Sequence, residues 1–591
     1  MRPKSLFSLS TIARIRLWYG ALVVVLAILM VRLFYLQIIR HDYYVKLATN
    51  NQLKQYEIPA QRGIIFANSK NGQTPLVLNE VRYTLYADPK YISDVPKTAL
   101  AVQKAIGGDV KIYADKMAHV GSRYEVLGKL LTKDQHDAII AQKLKGVGTI
   151  PINYRTYPQG ELAAQVLGFV NEDGVGTYGI EQALNTELRG TSGKLKAITD
   201  ASGVPLAANR DNLIINPVAG KNILMTIDLG MQAQLEQILK QGLSDAKSTS
   251  ASAMVLDVRD GSIKAMANLP TFNPAEYYKV EDSRVFTNEA VSSPLEVGSI
   301  MKPLIAAAAL DKGVVTPGTT YYDPSHFTID GYTIRNIEED GGAGTRSVSD
   351  ILQLSLNTGA TWLLMQLGGG EVNEKARLTW YDYMVNHYNF GKPTGIEQGY
   401  ETGGSVPDPK NGFGLNIQFA NTAFGQGVTN TPLQMAAALS AVVNGGTYYK
   451  PHLVQSFIDE NDHKIDKKPE VVKSQVVKPS VSQQIVDLMQ NVVAKNYVTY
   501  GMTKPDSAYM VGGKTGTAQI ARPNSEGGGY YDDRFNGMFM GFVGGDSPQY
   551  VIVVRVNEPK ISGYAGSKAA APIFGKLVNM LVNNSSVNPR H

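Results

Sequence analysis

The amino-acid order predicts an α+β chain in three parts: one membrane-spanning helix near the N-terminus, an extended mixed region, and a C-terminal domain with a central antiparallel sheet and helices. Three observations carry this expectation. Residues 17–31 hold no charge, and Leu33 to Ile39 extend the apolar run past a single Arg32. At 591 residues, 43% hydrophobic and 18% charged, the chain has the composition of a folded protein but is too long for one ordinary core. Strand-length apolar runs at 251–258, 262–267, 538–543 and 550–556 bracket helix-like segments, so the two ends of one domain would build a shared sheet.

Taken in order, residues 1–16 form a basic tail with Arg2, Lys4, Arg14 and Arg16 and no acid. A bilayer span needs roughly 20 apolar residues, which 17–39 supplies, and Arg32 near its end can extend to the interface. A secretory signal peptide competes with this reading, but the exit Leu36-Gln37-Ile38-Ile39-Arg40-His41-Asp42 offers no small-x-small cleavage site. A buried core helix fits less well with the basic flank and with Trp18 and Tyr19 at one edge. The positive-inside rule then puts the N-terminus in the cytoplasm and everything beyond about residue 40 outside.

Residues 40–215 form a first exported region. It opens on an expected amphipathic helix at 42–55, turns extended at 56–65, alternates like a strand at 83–89, suggests helices over 97–145 and ends in a Gly-rich stretch at 155–190. It holds no nucleophile–base pair, metal spacing or phosphate-cradling loop, so it reads as a spacer or docking module. From 216 to 591 the character changes. A helix over 229–245 follows Thr226-Ile227-Asp228, either end of which can cap it. Asp260-Gly261 between two strand-length runs is a hairpin signal. The last helix covers 570–582.

Several functions are excluded early. The net charge of +5 is mild, and no dense Lys/Arg block with interleaved aromatics suggests nucleic acid. With no cysteine there is no disulfide framework, thiolate metal site or thiol nucleophile. The eight histidines are scattered without ligand spacing, so no metal is expected.

The chemistry concentrates in three short motifs. In Gly298-Ser299-Ile300-Met301-Lys302-Pro303, serine and lysine stand three apart at the start of a helix, on one face. A serine needs an adjacent base, and an amine crowded by cations loses pKa and can serve. A helix N-terminus also presents backbone N–H groups to a developing oxyanion. Ser355-Leu356-Asn357 follows a helix that ends in a loop, and Lys514-Thr515-Gly516-Thr517 opens a strand, with Gly512 and Gly513 suggesting a close approach. Each motif alone arises by chance. S-x-x-K, S-x-N and K-T-G in this order are shared by penicillin-binding proteins and class A β-lactamases.

On these residues the chain resembles the class B penicillin-binding proteins, peptidoglycan D,D-transpeptidases of the bacterial envelope. The resemblance extends to Arg62-Gly63-Ile64-Ile65, Tyr86-Ala87-Asp88-Pro89, Tyr157-Pro158 and Gly179-Ile180-Glu181 of that family's pedestal. It also covers Pro270-Thr271-Phe272-Asn273-Pro274 and Phe424-Gly425-Gln426-Gly427. Leu295-Glu296-Val297-Gly298 departs from a usual proline-glycine pair, and 66–71 from a more charged turn; neither touches a reacting group.

The resemblance implies a tail at 1–16, a membrane helix at 17–39, a pedestal (dimerisation-like) domain at 40–215 and a transpeptidase domain at 216–591. It implies Ser299 as nucleophile, Lys302 as acylation base, Ser355 as proton relay and Asn357 as a holder of Lys302 and the substrate amide. Lys514, with Thr515, Gly516 and Thr517, would bind the terminal carboxylate, and the N–H groups of Ser299 and Thr517 would form the oxyanion hole. No cofactor is implied. Implied partners are D-Ala-D-Ala stem peptides, β-lactams and a SEDS-family glycan polymerase in the membrane. The Ala87-Asp88-Pro89 and Arg62-Gly63 contexts incline towards the septal rather than the elongation type. The alternatives are a β-lactamase or D,D-carboxypeptidase, and a non-catalytic scaffold or lactam sensor.

Overall fold

The computed structural model describes residues 11–44, 53–58, 60–198, 213–336 and 342–591. The chain divides into two compact units, Met1–Gln61 with Gly190–Ala219, and Arg62–Arg189 with Gly220–His591. This grouping differs from the linear division at 215/216.

In the first unit, a helix over Thr11–Phe34 continues as a π-helical turn over Tyr35–Ile39. Ile12–Ile39 is long and apolar enough to cross a membrane, with a mean hydropathy of 2.6 over its most apolar window and none of that window buried. Arg2 and Lys4 lie outside the described residues, while Arg14 and Arg16 belong to the helix. Leu53–Ile58, Gly193–Ile198 and Leu213–Ile215 form a three-stranded antiparallel sheet. The amphipathic helix expected over 42–55 is therefore corrected at its end. Residues 41–44 are helical, 53–55 belong to a strand, and 45–52 lie outside the described residues. Strand pairing with a segment some 140 residues away overrides the local pattern, as tertiary contacts commonly do.

The second unit holds two large sheets. One contains Gly72–Ala87, which pairs with Glu125–Leu131 and with Val147–Thr156, and the short Ile65–Ser69. Ile65–Ser69 runs parallel to Asn222–Asp228, which pairs on its other side with Val454–Ile458. One hydrogen-bonded ladder thus ties 62–189 to 220–591, which explains why they form one unit. Glu125–Leu131 corrects the helical reading of 97–145. Helices occupy Val95–Ile106, Val110–Met117 and Lys133–Ala141, with that strand between them.

Below this sheet lies a buried charge cluster. The Glu181 carboxylate is 0% exposed; one oxygen accepts from Arg62 Nε at 2.7 Å and the other from Arg155 Nε at 2.8 Å. Arg155 Nη1 donates to Asn79 Oδ1 at 2.7 Å, and Arg62 Nη1 to Asn185 Oδ1 at 2.9 Å. Burial pulls the Arg62 guanidinium below its ordinary range, with Glu181 opposing that pull and Arg155 adding to it.

The other sheet is antiparallel throughout, in the order Ile263–Leu269, Ser250–Asp257, Pro548–Asn557, Tyr530–Gly544, Met510–Ala521. It is assembled from the two ends of its domain, as expected, and Met510–Ala521 is an edge. Leu229–Asp245 packs on it through Met231, Leu235 and Leu239, and Asp228 accepts from Met231 N at 2.8 Å as the N-cap. We expect Asp228→Ala to cost about 1 kcal/mol through loss of this cap, read as a lower urea midpoint at constant m-value. Lys302–Asp311 is buried from Lys302 to Leu310, the pattern of a helix surrounded by protein. Pro303 in its first turn removes an N–H that would have no helical partner.

Candidate active site

The three motifs come from one turn, one inter-helix reversal and one strand. Gly298–Met301 is a 3₁₀ turn leading into Lys302–Asp311. In 3₁₀ geometry residues three apart eclipse, which stacks Ser299 and Lys302 on one side. Val348–Gln353 and Asn357–Gly368 are separated by a reversal in which Ser355 has a φ of 62°. That left-handed conformation is unfavourable for a side chain with a Cβ and is retained where surroundings enforce it. Lys302 is among the groups that hold this reversal. Its amine donates to the Ser355 carbonyl, to Asn357 Oδ1 at 2.8 Å and to Ser355 Oγ at 3.2 Å. Asn357 Nδ2 in turn donates to Arg335 O at 3.1 Å.

The third motif lies inside Met510–Ala521 rather than at its start. Alternation along the strand puts Thr515, Thr517 and Gln519 on one face. Lys514, on the other, is 1% exposed and donates to the Thr515 carbonyl at 3.2 Å and hydroxyl at 3.4 Å. The Gly512-Gly513 pair makes a close approach, but to the core. A Cβ at either would collide with the Phe542 or Phe539 ring.

Gly298 and Gly516 lock the turn against the strand. Gly298 has a φ of +59°, and a Cβ there would lie 2.8 Å from Thr517 O. A Cβ on Gly516 would lie 2.7 Å from Val297 O and 3.0 Å from Ile300 Cγ2. We expect Gly516→Ala to displace the turn carrying Ser299, costing about 1–3 kcal/mol of stability as overpacked sites do. Acylation of Ser299, followed with a fluorescent penicillin, should slow at least tenfold, since about 1.4 kcal/mol of lost positioning suffices.

Ser299, Ser355, Asn357, Thr515 and Thr517 line one cavity of about 640 Å³. Lys302, at 0% exposed, is tied to it through Ser355 and Asn357. Four further residues, not singled out as site residues from the sequence, shape the cavity or its turn. Phe424 and Gln426 line it. Tyr500 also lines it, and burial pushes its phenol up to about 12 while a hydrogen bond with Thr515 acts in the opposite sense. Glu296, three residues before Ser299, accepts from Gly427 N at 2.9 Å and from Tyr530 OH at 2.9 and 3.0 Å. Burial raises its carboxyl above the usual range. Phe424-Gly425-Gln426-Gly427 was visible as a motif; Glu296 and Tyr530 are 234 residues apart and carry no local signal.

A cavity-lining serine one 3₁₀ turn before a buried lysine, at a turn packed against a β-edge, is the arrangement of a serine acyl-transfer enzyme class. The penicillin-binding protein transpeptidase domain matches residues 251–579, and the penicillin-binding protein dimerisation domain matches 57–225. The chain belongs to the penicillin-binding protein transpeptidase family. It is 31% identical to stage V sporulation protein D of Bacillus subtilis over 96% of this chain and 85% of that protein. It is 26% identical to the peptidoglycan D,D-transpeptidase FtsI of Escherichia coli, over 98% and 92%. Among solved structures, penicillin-binding protein 2X of Streptococcus thermophilus shares the fold, with a TM-score of 0.72 and 23% identity over 90% of this chain and 80% of that one. Penicillin-binding protein 3 of Mycobacterium tuberculosis, complexed with aztreonam, superposes with a TM-score of 0.67 and 24% identity, over 90% and 98%.

Proposed function

We propose that this chain is a membrane-anchored peptidoglycan D,D-transpeptidase inhibited by β-lactams. The observation that carries the reading is the meeting of Ser299, Ser355, Asn357, Thr515 and Thr517 around one cavity, with the Lys302 amine bonded to two of them. Lys302 takes the Ser299 proton as Oγ attacks the penultimate D-alanine carbonyl. Ser355 passes a proton to the leaving amine, and the terminal D-alanine departs, leaving an acyl-enzyme. An amine of a second stem peptide then attacks the ester, closes the cross-link and returns Ser299 to its hydroxyl form. Asn357 holds Lys302 and the substrate amide, while Lys514, Thr515 and Thr517 bind the terminal carboxylate beside Gly516. The N–H groups of Ser299 and Thr517 receive the oxyanion, and losing one such donor typically costs on the order of 10²–10³ in rate.

Residues 216–591 carry the chemistry in this reading, and 40–215 serve as a pedestal outside the cytoplasmic membrane, with the N-terminal tail inside. A SEDS-family polymerase supplies the glycan strands and contacts the 17–39 helix and the pedestal. The septal type is the reading the resemblance favours, and a tagged chain should gather at mid-cell rather than along the side wall.

The test is fluorescent penicillin labelling of the full-length chain in detergent, together with D-alanine release from a stem pentapeptide with and without an amine acceptor. A persistent label and product formed on the amine support the transpeptidase. Rapid release of label would mean a β-lactamase, water as sole acceptor a carboxypeptidase, and a folded chain without label a scaffold.

A further inference from the structure

A second cavity of about 570 Å³ lies far along the chain from the three motifs, between the sheet of the 62–189 region and the 274–278 segment. Its walls are aromatic. Tyr154, Tyr277 and Tyr278 line it; Tyr277 is stacked on Phe169 at 4.2 Å between ring centroids, and Tyr154 is pinned by its hydroxyl to Ala275 O at 2.8 Å. Tyr278 is 60% exposed at the mouth, its ring edge-on to Tyr277 at 5.9 Å between centroids.

The floor is polar and charged. Arg155 lines the cavity and is 6% exposed; it spends Nε on Glu181 and Nη1 on Asn79, while its Nη2 is buried and has no hydrogen-bond partner among the described residues. The buried cluster beneath holds two guanidiniums, Arg62 and Arg155, against one carboxylate, Glu181, so among the described residues it carries a net positive charge. Such a charge is costly away from water unless an anion arrives to pair with it. At the rim the Lys129–Glu172 pair, 3.0 Å apart, is self-neutralising, and Asn153 adds an amide. Leu130, also a lining residue, has a φ of 60°, a strained conformation for a residue with a branched side chain. Such strain clusters at ligand-binding sites.

We infer that this cavity binds an anionic saccharide, with the pyranose face on the tyrosines, ring substituents on Asn153 and a carboxylate over the Arg155 cluster. Aromatic rings offer the C–H face of a sugar a rigid apolar platform, and a few placed polar groups fix its orientation. The choice of an N-acetylmuramyl peptide among anionic sugars rests on the peptidoglycan reading above. Bound there, a strand of the existing wall would be held by the same unit that presents Ser299.

The test uses full-length protein in nanodiscs whose Ser299 has first been acylated by a β-lactam, titrated calorimetrically with N-acetylmuramyl-L-alanyl-D-isoglutamine. We expect saturable binding, weakened about tenfold or more by Tyr278→Ala and by Asn153→Ala, the size of one lost contact face or hydrogen bond. Both are surface positions, so folding and penicillin labelling should be unchanged. N,N′-diacetylchitobiose, which lacks the carboxylate, should bind at least tenfold more weakly, and sodium lactate alone should not compete. The inference is overturned by no binding up to solubility, by binding indifferent to both substitutions, or by chitobiose binding equally well. Failure of wild-type protein to take the lactam would count against the catalytic reading. The same titration on the unacylated chain would still decide this site, through the two substitutions.

Discussion

Ser299→Ala should abolish covalent labelling by penicillin and lower D-alanine release by on the order of 10⁴–10⁶, the loss seen when the nucleophile of a serine enzyme is removed. Lys302→Gln should come close to the same loss while leaving the hydroxyl in place. Its amide can still donate to the Ser355 carbonyl, so the reversal at Ser355 keeps a partner, but no group remains to take the Ser299 proton. Because the two act as one unit, Ser299→Ala/Lys302→Gln should be no slower than Ser299→Ala alone. An additive loss would mean that the amine serves a step not passing through this serine. Labelled protein resolved on a gel, with the modified peptide identified by mass, reads the first effect. Coupled detection of D-alanine reads the second. Folding is checked separately, since Lys302 is wholly buried and its replacement disturbs three hydrogen bonds.

The placements legible in the sequence are those set by local spacing. Ser299 and Lys302 are separated by one turn, and Ser355 and Asn357 by one residue, so spacing alone says they can share a face or a loop. The helix at Leu229–Asp245 was legible for the same reason, because possible caps at Thr226 and Asp228 and apolar positions at Leu229, Ala233, Leu235, Ile238 and Leu239 fall within a short window; Asp228 is the cap. What was not legible depends on distant partners. Glu125–Leu131 carries a glycine and a lysine among its apolar residues and reads as part of a helical stretch; it is a strand because Gly72–Ala87 offers it an edge. The parallel pairing of Ile65–Ser69 with Asn222–Asp228 joins segments some 160 residues apart, which no local pattern announces. Gly512-Gly513 was correctly taken as a close approach, yet the intruders are Phe542 and Phe539 from the next strand. A glycine announces lack of space but not what occupies it.

The Glu181 cluster is the clearest case of a motif visible in sequence whose reason is visible only in the fold, and it carries the largest expected effect on stability. Arg62, Arg155 and Glu181 come from three separate segments, and all three side chains are at least nine-tenths buried. Glu181→Ala would leave two guanidiniums facing each other without a counter-charge, and removing one member of a buried ion group costs about 3–5 kcal/mol. Against a total domain stability of about 5–15 kcal/mol this is a large fraction. We expect a clear drop in the urea midpoint and reduced yield of folded chain, while penicillin labelling per folded molecule stays near that of the parent, since none of the three lines the catalytic cavity. The triple variant Arg62→Met/Arg155→Met/Glu181→Leu separates charge from packing. Replacing a whole buried ion group by apolar side chains is often neutral or stabilising, so it should recover most of the loss. If the triple variant is instead as unstable as Glu181→Ala, the cluster's worth lies in the hydrogen bonds to Asn79 and Asn185 that the apolar side chains cannot replace.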